Sequence, residues 1–128
     1  MLISVDATDP RPIYVQIIDE MRRALVLGTL AADDPLPSVR QLAGELRVNP
    51  NTVSQAYREL ERQGVVEVRR GQGTYVVEAS VNGSQRRTLA RDVALRALRD
   101  AHRNGLDADD LIQAIRSAST SHHKKDAR

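Results

Sequence analysis

Residues 38–74 read SVRQLAGELRVNPNTVSQAYRELERQGVVEVRRGQGT, and this stretch decides the fold that we predict for the chain. Its first apolar side chains recur at helical spacing, at Val39, Leu42, Ala43 and Leu46. Ser38, followed three residues later by Gln41, has the pattern of a capping box at the start of a helix. We therefore predict a short helix that begins at Ser38 and ends near Leu46.

A second helix is predicted directly after the first. Asn49 is a favoured N-cap residue, and Pro50 suits the first helical position. Apolar side chains then repeat with the same period at Val53, Ala56, Tyr57 and Leu60, and Gly64 ends the helix. About three residues separate the two helices, which is the connection length of a helix-turn-helix.

A β-hairpin with a glycine-rich tip is predicted after the second helix. Two runs rich in β-branched residues, 65–70 and 74–77, flank Gly71, Gln72 and Gly73. A hairpin directly after a helix-turn-helix is the arrangement of a winged helix.

The flanking segments complete a fold class that is mainly α with a small β-hairpin. An amphipathic helix precedes the quoted stretch, with apolar side chains at Tyr14, Ile17, Ile18, Met21, Ala24 and Leu25. Two further helices follow the stretch, separated by a stop at Asn104 and Gly105 and an N-cap at Asp107. We predict a winged helix-turn-helix domain at 1–78, a linker at 79–87, a two-helix dimerisation region at 88–118 and a disordered tail at 119–128.

The composition excludes several classes of protein. The 128 residues include no cysteine, which excludes disulfides and cysteine-ligated metal sites and is typical of a cytoplasmic protein. No segment approaches the roughly 20 apolar residues of a membrane span, and the first residues lack the pattern of a signal peptide. The net charge is only +2, but residues 36–75 contain six basic and four acidic side chains. This local positive charge suits a nucleic-acid partner, although on charge alone a normally solvated surface is the simpler explanation.

The side of the second helix that faces away from its apolar side chains carries no acid. We call this side the outer face; it consists of Asn51, Ser54, Gln55, Arg58 and Arg62. Asn and Gln side chains can form paired hydrogen bonds with adenine, and Arg with guanine. A solvated helix face would usually include Glu, which is a good helix former and pairs with Arg. For this helix alone, a solvated surface and a nucleic-acid contact are equally good alternatives.

The hairpin tip adds positive charge beside this helix. Arg69 and Arg70 precede the glycines, and adjacent arginines suit phosphates or a narrow minor groove. The glycines allow the backbone to approach a partner closely. An ordinary tight turn is the alternative for the tip alone, but the tip and the helix-turn-helix together favour DNA binding.

Three motifs make the chain similar to a known family. LPSVRQLA at 36–43, VNPNTV at 48–53 and GQGTYV at 71–76 occur in this order and spacing, and PIYVQI and GTL extend the match over residues 12–77. This segment resembles the DNA-binding domain of the GntR family of bacterial transcriptional regulators. The two predicted C-terminal helices resemble the YtrA subfamily, whose members have a small dimerisation region in place of a larger effector-binding or aminotransferase-like domain.

The resemblance implies a sequence-specific transcriptional regulator, a repressor that binds a palindromic operator in double-stranded DNA as a homodimer. Its recognition helix, 49–63, would enter the major groove, and its wing, 69–74, would lie at the flanking backbone or minor groove. The residues expected to contact DNA are Ser38, Arg40, Arg47, Asn49, Asn51, Thr52, Ser54, Gln55, Arg58, Arg69, Arg70, Gly71, Gln72, Gly73 and Thr74. The residues expected in the core instead are Leu42, Val53, Tyr57 and Leu60.

Three positions depart from the family's pattern. Arg47 stands in the turn where the family often has Gly; a left-handed backbone there costs on the order of 1 kcal/mol, which a contact between the cation and a phosphate would offset. Asp33 also stands where a Gly is frequent, and Asp tolerates a left-handed turn. Gln72 replaces a frequent Lys or Arg between the wing glycines, which shifts the expected cationic contacts to Arg69 and Arg70.

The apolar side chains of the last two helices are too few to form a separate core. We predict that they form a homodimer interface through Leu89, Val93, Ala97, Leu111, Ile112 and Ile115. Packing against their own wing domain is the alternative. A small-molecule effector of unknown identity, if the protein has one, would bind at this interface, because about 40 helical residues leave little room for an enclosed pocket.

No catalytic, cofactor or metal site is predicted. The sequence has no nucleophile–base pair and no phosphate-binding loop of the P-loop type, and the adjacent His122 and His123 lack further metal ligands. We therefore predict a DNA-binding protein that is not an enzyme. The competing interpretation is a winged-helix protein-interaction module that does not bind DNA.

Overall fold

The computed structural model describes the backbone of residues 3–77 and 83–126 and the side chains as far as Ser121. These ranges contain five helices and one hairpin: α1 (Ile13–Leu27), α2 (Val39–Leu46), α3 (Pro50–Arg62), β1 (Val66–Arg69), β2 (Gly73–Val76), α4 (Ser84–Arg103) and α5 (Ala108–Asp126). The chain divides into two compact units, residues 1–89 and 90–128, which we describe separately. The mainly helical fold with a hairpin after the helix-turn-helix confirms the predicted fold class.

The helix ends in the first unit follow the predicted local chemistry. The Ser38 hydroxyl accepts a hydrogen bond from the Gln41 amide, and the Gln41 side chain accepts one from the Ser38 amide, which completes the capping box of α2. Arg47 ends α2 in the left-handed conformation with φ 57°, the conformation expected at this departure from the family's Gly. Asn49 caps α3, and Gly28 ends α1 with φ 81°.

The core of the first unit lies between α1, α2, α3 and the hairpin. Its most deeply buried side chains are Ile17, Met21, Leu42, Leu60, Val53, Val65 and Val76. The four residues predicted to belong to the core, among them Leu42 and Tyr57, are all buried. Because the apolar side of α3 is enclosed in this core, its outer face is left on the surface.

The hairpin 66–76, which we call the wing, is joined to the segment between α1 and α2. The two strands are antiparallel and pair Val66 with Val76 and Arg69 with Gly73. Residues 28–37, which we call the connector, run along the other edge of β2, where the Leu36 amide donates to the Thr74 carbonyl at 2.8 Å. A two-stranded hairpin is marginal in water, so these additional backbone hydrogen bonds stabilise the wing.

The C-terminal helices are longer than predicted. Helix α4 begins at Ser84, so residues 84–87 of the predicted linker 79–87 are helical. Residues 78–82 lie outside the described residues. The polar sequence from Ser84 suggested a loop, but Gln and Arg are good helix formers, and Gln85 accepts a hydrogen bond of 3.2 Å from Arg22 of α1.

Helix α5 extends to Asp126, so residues 119–126 of the predicted tail 119–128 have a helical backbone. Asp107 and Asp110 form reciprocal side chain to backbone hydrogen bonds of 2.9 and 3.0 Å at the start of α5. A helix that has begun gains one hydrogen bond for each added residue. Its end therefore need not coincide with the end of the apolar pattern. The side chains of His122 and His123 and residues 127–128 lie outside the described residues.

Within the described ranges, no helix combines the length and the apolar content that crossing a membrane requires.

Candidate nucleic-acid interface

The position of α3 is set by its contacts with α2 and with the segment that precedes α2. Val53, Ala56 and Leu60 have no exposed surface, and the Tyr57 hydroxyl donates a hydrogen bond of 2.7 Å to the Pro37 carbonyl. Burial, and then the nearby charge of Glu45, raise the pKa of the Tyr57 phenol, which therefore stays protonated and able to donate. This contact ties the middle of α3 to the start of α2.

The outer face of α3 is accessible to a partner. Asn51, Gln55, Arg58 and Arg62 are exposed, and Ser54 is half-buried. The helix has no acidic residue in its first turn. Asn49 Oδ1 accepts a hydrogen bond of 2.8 Å from the Asn51 amide, while Thr52 is half-buried. The helix therefore begins without a carboxylate, and its positive N-terminus is left available to an anion.

Two residues predicted to contact DNA also have a structural role. Ser38 and Asn49 each use a side-chain oxygen to cap a helix. The Ser38 hydroxyl proton and the Asn49 amide group are not used by these caps, so both side chains keep a donor for an external acceptor.

The two arginines of α3's outer face differ in their partners. Arg62 Nη2 lies 2.5 Å from Glu59 Oε1, and the Gln63 side chain donates to the same oxygen at 2.8 Å. The hydrogen bonds from Arg62 and Gln63 lower the pKa of Glu59 to about 2. Arg58 is exposed and makes no ion pair with any residue that the structure describes. Of these two arginines, Arg58 therefore carries the charge that no acid compensates among the described residues.

Arg40 and Arg47 are also exposed cations. Neither pairs with an acid in the described part of the chain. Arg40 lies in the first turn of α2, between the capping-box residues Ser38 and Gln41, and Arg47 lies in the turn before α3. Both lie within the helix-turn-helix and are among the residues expected to contact DNA.

The wing contains one paired and one unpaired arginine. Arg69 Nη2 lies 2.5 Å from Asp33 Oδ1, and Arg69 Nε lies 2.9 Å from Glu67 Oε1. The Arg69 guanidinium also lies 4.3 Å from the centre of the Tyr75 ring. The hydrogen bonds that Arg69 donates to Asp33 and Glu67 raise the pKa of Arg69. Arg70 is exposed and has no acidic partner among the described residues.

The wing tip has the backbone geometry that glycine favours. Gly71 and Gly73 have φ of 75° and 125°, which L side chains rarely adopt. Gln72 lies exposed between them and donates its amide hydrogen to the Arg69 carbonyl at 2.9 Å, whereas Thr74 is half-buried in β2. The tip therefore presents backbone and a neutral side chain, and Arg70 is its nearest unpaired cation.

Sequence reasoning missed the acids that neutralise Arg69. Asp33 is 36 residues away in the sequence and was considered only for its backbone conformation, which is left-handed with φ 65°. Glu67 lies two residues before Arg69 on β1, and this spacing was a local signal for the second pair. No sequence feature indicated the long-range pair.

The predicted dimerisation residues are divided between two levels of exposure. Val93, Ile112 and Ile115 are 49%, 43% and 55% exposed, whereas Leu89, Ala97 and Leu111 are half-buried. Three of the six predicted dimerisation residues are thus exposed large apolar side chains.

The comparisons with known proteins agree with this geometry. The family model for bacterial regulatory proteins of the gntR family matches residues 13–76. The chain is 39% identical over 122 residues to the HTH-type transcriptional repressor YtrA of Bacillus subtilis (strain 168), and the match covers 92% of each chain. This similarity confirms the predicted resemblance to the YtrA subfamily.

Two solved structures extend the comparison. A GntR family transcriptional regulator from Listeria monocytogenes is similar with a TM-score of 0.69 and 32% identity, over 85% of this chain and 96% of that chain. AraR(DBD), solved in complex with operator ORX1, is similar with a TM-score of 0.54 and 25% identity, over 59% of this chain and 96% of that chain. The chain belongs to the gntR family of bacterial regulatory proteins, and it is a DNA-binding transcriptional regulator.

Proposed function

We propose that this regulator represses transcription by binding a palindromic operator as a homodimer. Each α3 would enter the major groove through its outer face, and each wing would contact the flanking backbone or the minor groove. Repression is inferred from the similarity to YtrA of Bacillus subtilis, whose name describes a repressor. The similarity to AraR(DBD), which was solved in complex with an operator, supports operator DNA as the partner.

The observation that carries the proposal is the distribution of unpaired charge. Within the helix-turn-helix and the wing, residues 38–76, four exposed arginines lack an acidic partner among the described residues, namely Arg40, Arg47, Arg58 and Arg70. Other arginines of the same unit, such as Arg62 and Arg69, are paired with acids. A cation that binds a phosphate releases counterions condensed on DNA, which favours binding. An unpaired arginine can do this without giving up an acidic partner. The unpaired arginines would therefore supply most of the salt-dependent affinity.

Sequence discrimination would come from the outer face of α3. Asn51, Gln55 and Arg58 are exposed, and their side chains make no hydrogen bond with another described residue. Amide side chains can pair with adenine and guanidinium groups with guanine in the major groove. These three side chains are our candidates for base contacts, and the arginines of α2 and the wing are our candidates for phosphate contacts.

The homodimer is supported by the exposed apolar side chains of the C-terminal unit. Helix α5 has 19 residues, and its Ile112 and Ile115 remain largely exposed. A helix gains little stability in water until its apolar stripe is covered. A second copy would cover it and would also place two α3 helices on a symmetric site, with half-sites about 34 Å apart.

The test begins with protection footprinting on the promoter of the protein's own operon. A fluorescein-labelled duplex of the protected segment is then titrated with wild type, Arg40→Ala and Asn51→Ala. We expect both variants to bind more weakly, and Arg40→Ala also to reduce the dependence of affinity on salt. Arg23→Ala is the control, because Arg23 lies on α1 and pairs with Glu20. Wild-type affinity in both site variants, with circular dichroism showing intact folding, would refute the site assignment.

A further inference from the structure

The paired arginine of the wing connects three segments of the first unit. Its partners are Asp33 in the connector, Glu67 on the same strand and the ring of Tyr75 on the opposite strand. The connector is itself bonded to β2 at this point, because the Asp33 amide donates a hydrogen bond of 3.0 Å to the Val76 carbonyl. Arg69 therefore ties the end of β1 to a backbone segment that is already bonded to β2.

We propose that Arg69 is a positioning residue, whose contacts with Asp33, Glu67 and Tyr75 hold the wing in the orientation that presents Arg70 to DNA. Arg70, the unpaired neighbour, makes the phosphate contact. The proposal revises the expectation that both arginines contact DNA, and it rests on the DNA-binding function proposed above.

Charge argues against a direct role for Arg69. Its guanidinium touches two carboxylates, so the group of three side chains has a net negative charge. A phosphate approaching this group would meet repulsion from the acids or would have to displace one of them. Arg70 has no such acid, and its positive charge is available without rearrangement. The adjacent arginines therefore have different tasks.

The position of Arg69 along the hairpin supports the same division of roles between Arg69 and Arg70. Arg69 is the last residue of β1 and pairs with Gly73, so it marks the point where the ladder ends and the tip begins. The tip residues Gly71 and Gly73 have positive φ. Beyond the ladder, the bond from the Gln72 amide to the Arg69 carbonyl is the one backbone–backbone hydrogen bond of this described turn. A contact at the base of the tip is therefore well placed to set the direction of Arg70.

The two roles predict opposite effects of removing the Asp33 charge. Asp33→Asn keeps the size of the side chain, and Asn tolerates a left-handed backbone as Asp does. If Arg69 binds phosphate, this variant frees a cation and removes an anion, so DNA binding becomes tighter. If Arg69 positions the wing, binding becomes weaker, by about threefold to tenfold, because the wing loses its fixed orientation.

The experiment measures fluorescence anisotropy on the labelled promoter duplex over a range of potassium chloride concentrations. We expect Asp33→Asn and Arg69→Gln each to weaken DNA binding, while the slope of log affinity against log salt keeps its wild-type value. The double variant should bind DNA no more weakly than the weaker-binding single variant. Arg70→Gln should instead reduce the slope of log affinity against log salt by about one. Asp34→Asn is the matched control, since Asp34 bonds to the Ala31 amide and not to Arg69. Tighter binding by Asp33→Asn, or a slope reduced by about one in Arg69→Gln, would overturn the proposal.

Amide hydrogen exchange of the free protein provides a second measurement that does not depend on DNA. The Gln72 and Val76 amides, which bond to the Arg69 and Asp34 carbonyls, should exchange faster in Asp33→Asn and in Arg69→Gln but not in Arg70→Gln. Unchanged exchange in the first two variants would contradict a positioning role. A wild-type protein without salt-dependent DNA affinity would refute the proposed function, and the exchange rates would still decide whether Arg69 holds the wing.

Discussion

The Tyr57 hydroxyl donates a hydrogen bond of 2.7 Å to the carbonyl oxygen of Pro37, across 20 residues of sequence. Pro37 immediately precedes the N-cap of α2, and Tyr57 lies on the buried side of α3. The bond therefore fixes the relative placement of the two helices that make the helix-turn-helix. It connects a core residue to the geometry of the surface that we propose for DNA.

Replacing Tyr57 with Phe should lower the stability of the first unit. The Pro37 carbonyl would lose its partner in a partly buried place, and a lost hydrogen bond of this kind costs about 0.5–1.5 kcal/mol. Urea denaturation followed by circular dichroism measures the change. Tyr75→Phe is the matched control, because the Tyr75 hydroxyl is exposed and lies 3.5 Å from its acceptor. Equal loss of stability in the two variants would show that the Tyr57 hydrogen bond does not contribute.

Arg58→Ala should weaken DNA binding much more than Arg62→Ala. Arg58 has no acidic partner among the described residues, whereas Arg62 is held by Glu59 on the same helix. A lost contact to a base or phosphate costs about 1–3 kcal/mol, while Arg62→Ala should remain within about threefold of wild type. Anisotropy titrations on the promoter duplex, repeated at two salt concentrations, measure both. A larger effect of Arg62→Ala would contradict the role that we assign to unpaired charge.

The difference between Arg58 and Arg62 also shows what a sequence can predict of this site. The period of the apolar residues placed both arginines on the outer face, and the structure leaves both exposed. The pair between Arg62 and Glu59 follows the i,i+3 spacing of a helix and could have been anticipated. A local rule also predicted the capping box at Ser38, because it depends on residues within one helical turn, whereas the left-handed turn at Arg47 was expected from the family's pattern.

The features that sequence reasoning missed depend on distant residues or on helix length. The pairing of Arg69 with Asp33 requires the connector to lie beside β2, and no periodicity encodes that placement. The extent of α5 to Asp126 was missed for another reason: polar residues can continue a helix without an apolar stripe. Composition alone therefore underestimated the order of the last segment.

Arg47→Gly should increase stability and decrease DNA affinity. Arg47 has φ 57°, and a left-handed backbone costs an L-residue about 1–2 kcal/mol. The substitution removes this cost, but Gly makes the unfolded chain more flexible, which offsets part of the gain in stability. The net gain should be about 0.5–1 kcal/mol in urea denaturation, while the lost cation weakens binding to the promoter duplex. Arg47→Lys keeps both the charge and the strain, so it should resemble wild type in both measurements. A stabilised Arg47→Gly protein with full DNA affinity would remove Arg47 from the proposed phosphate contacts.

Ile115→Glu should shift the proposed homodimer to monomer and reduce its affinity for the operator. Ile115 is 55% exposed on α5, and a carboxylate in an apolar interface between two copies would lose its hydration without gaining a partner. Sedimentation velocity over a range of protein concentrations measures the dimerisation constant. Gln113→Glu is the matched control, because it adds the same charge to an exposed polar position of the same helix.

If the dimer is the binding species, Ile115→Glu should bind a duplex with two half-sites no more tightly than a duplex with one half-site. The control Gln113→Glu should keep the preference for two half-sites. An unchanged dimerisation constant in Ile115→Glu would place the interface elsewhere on the chain.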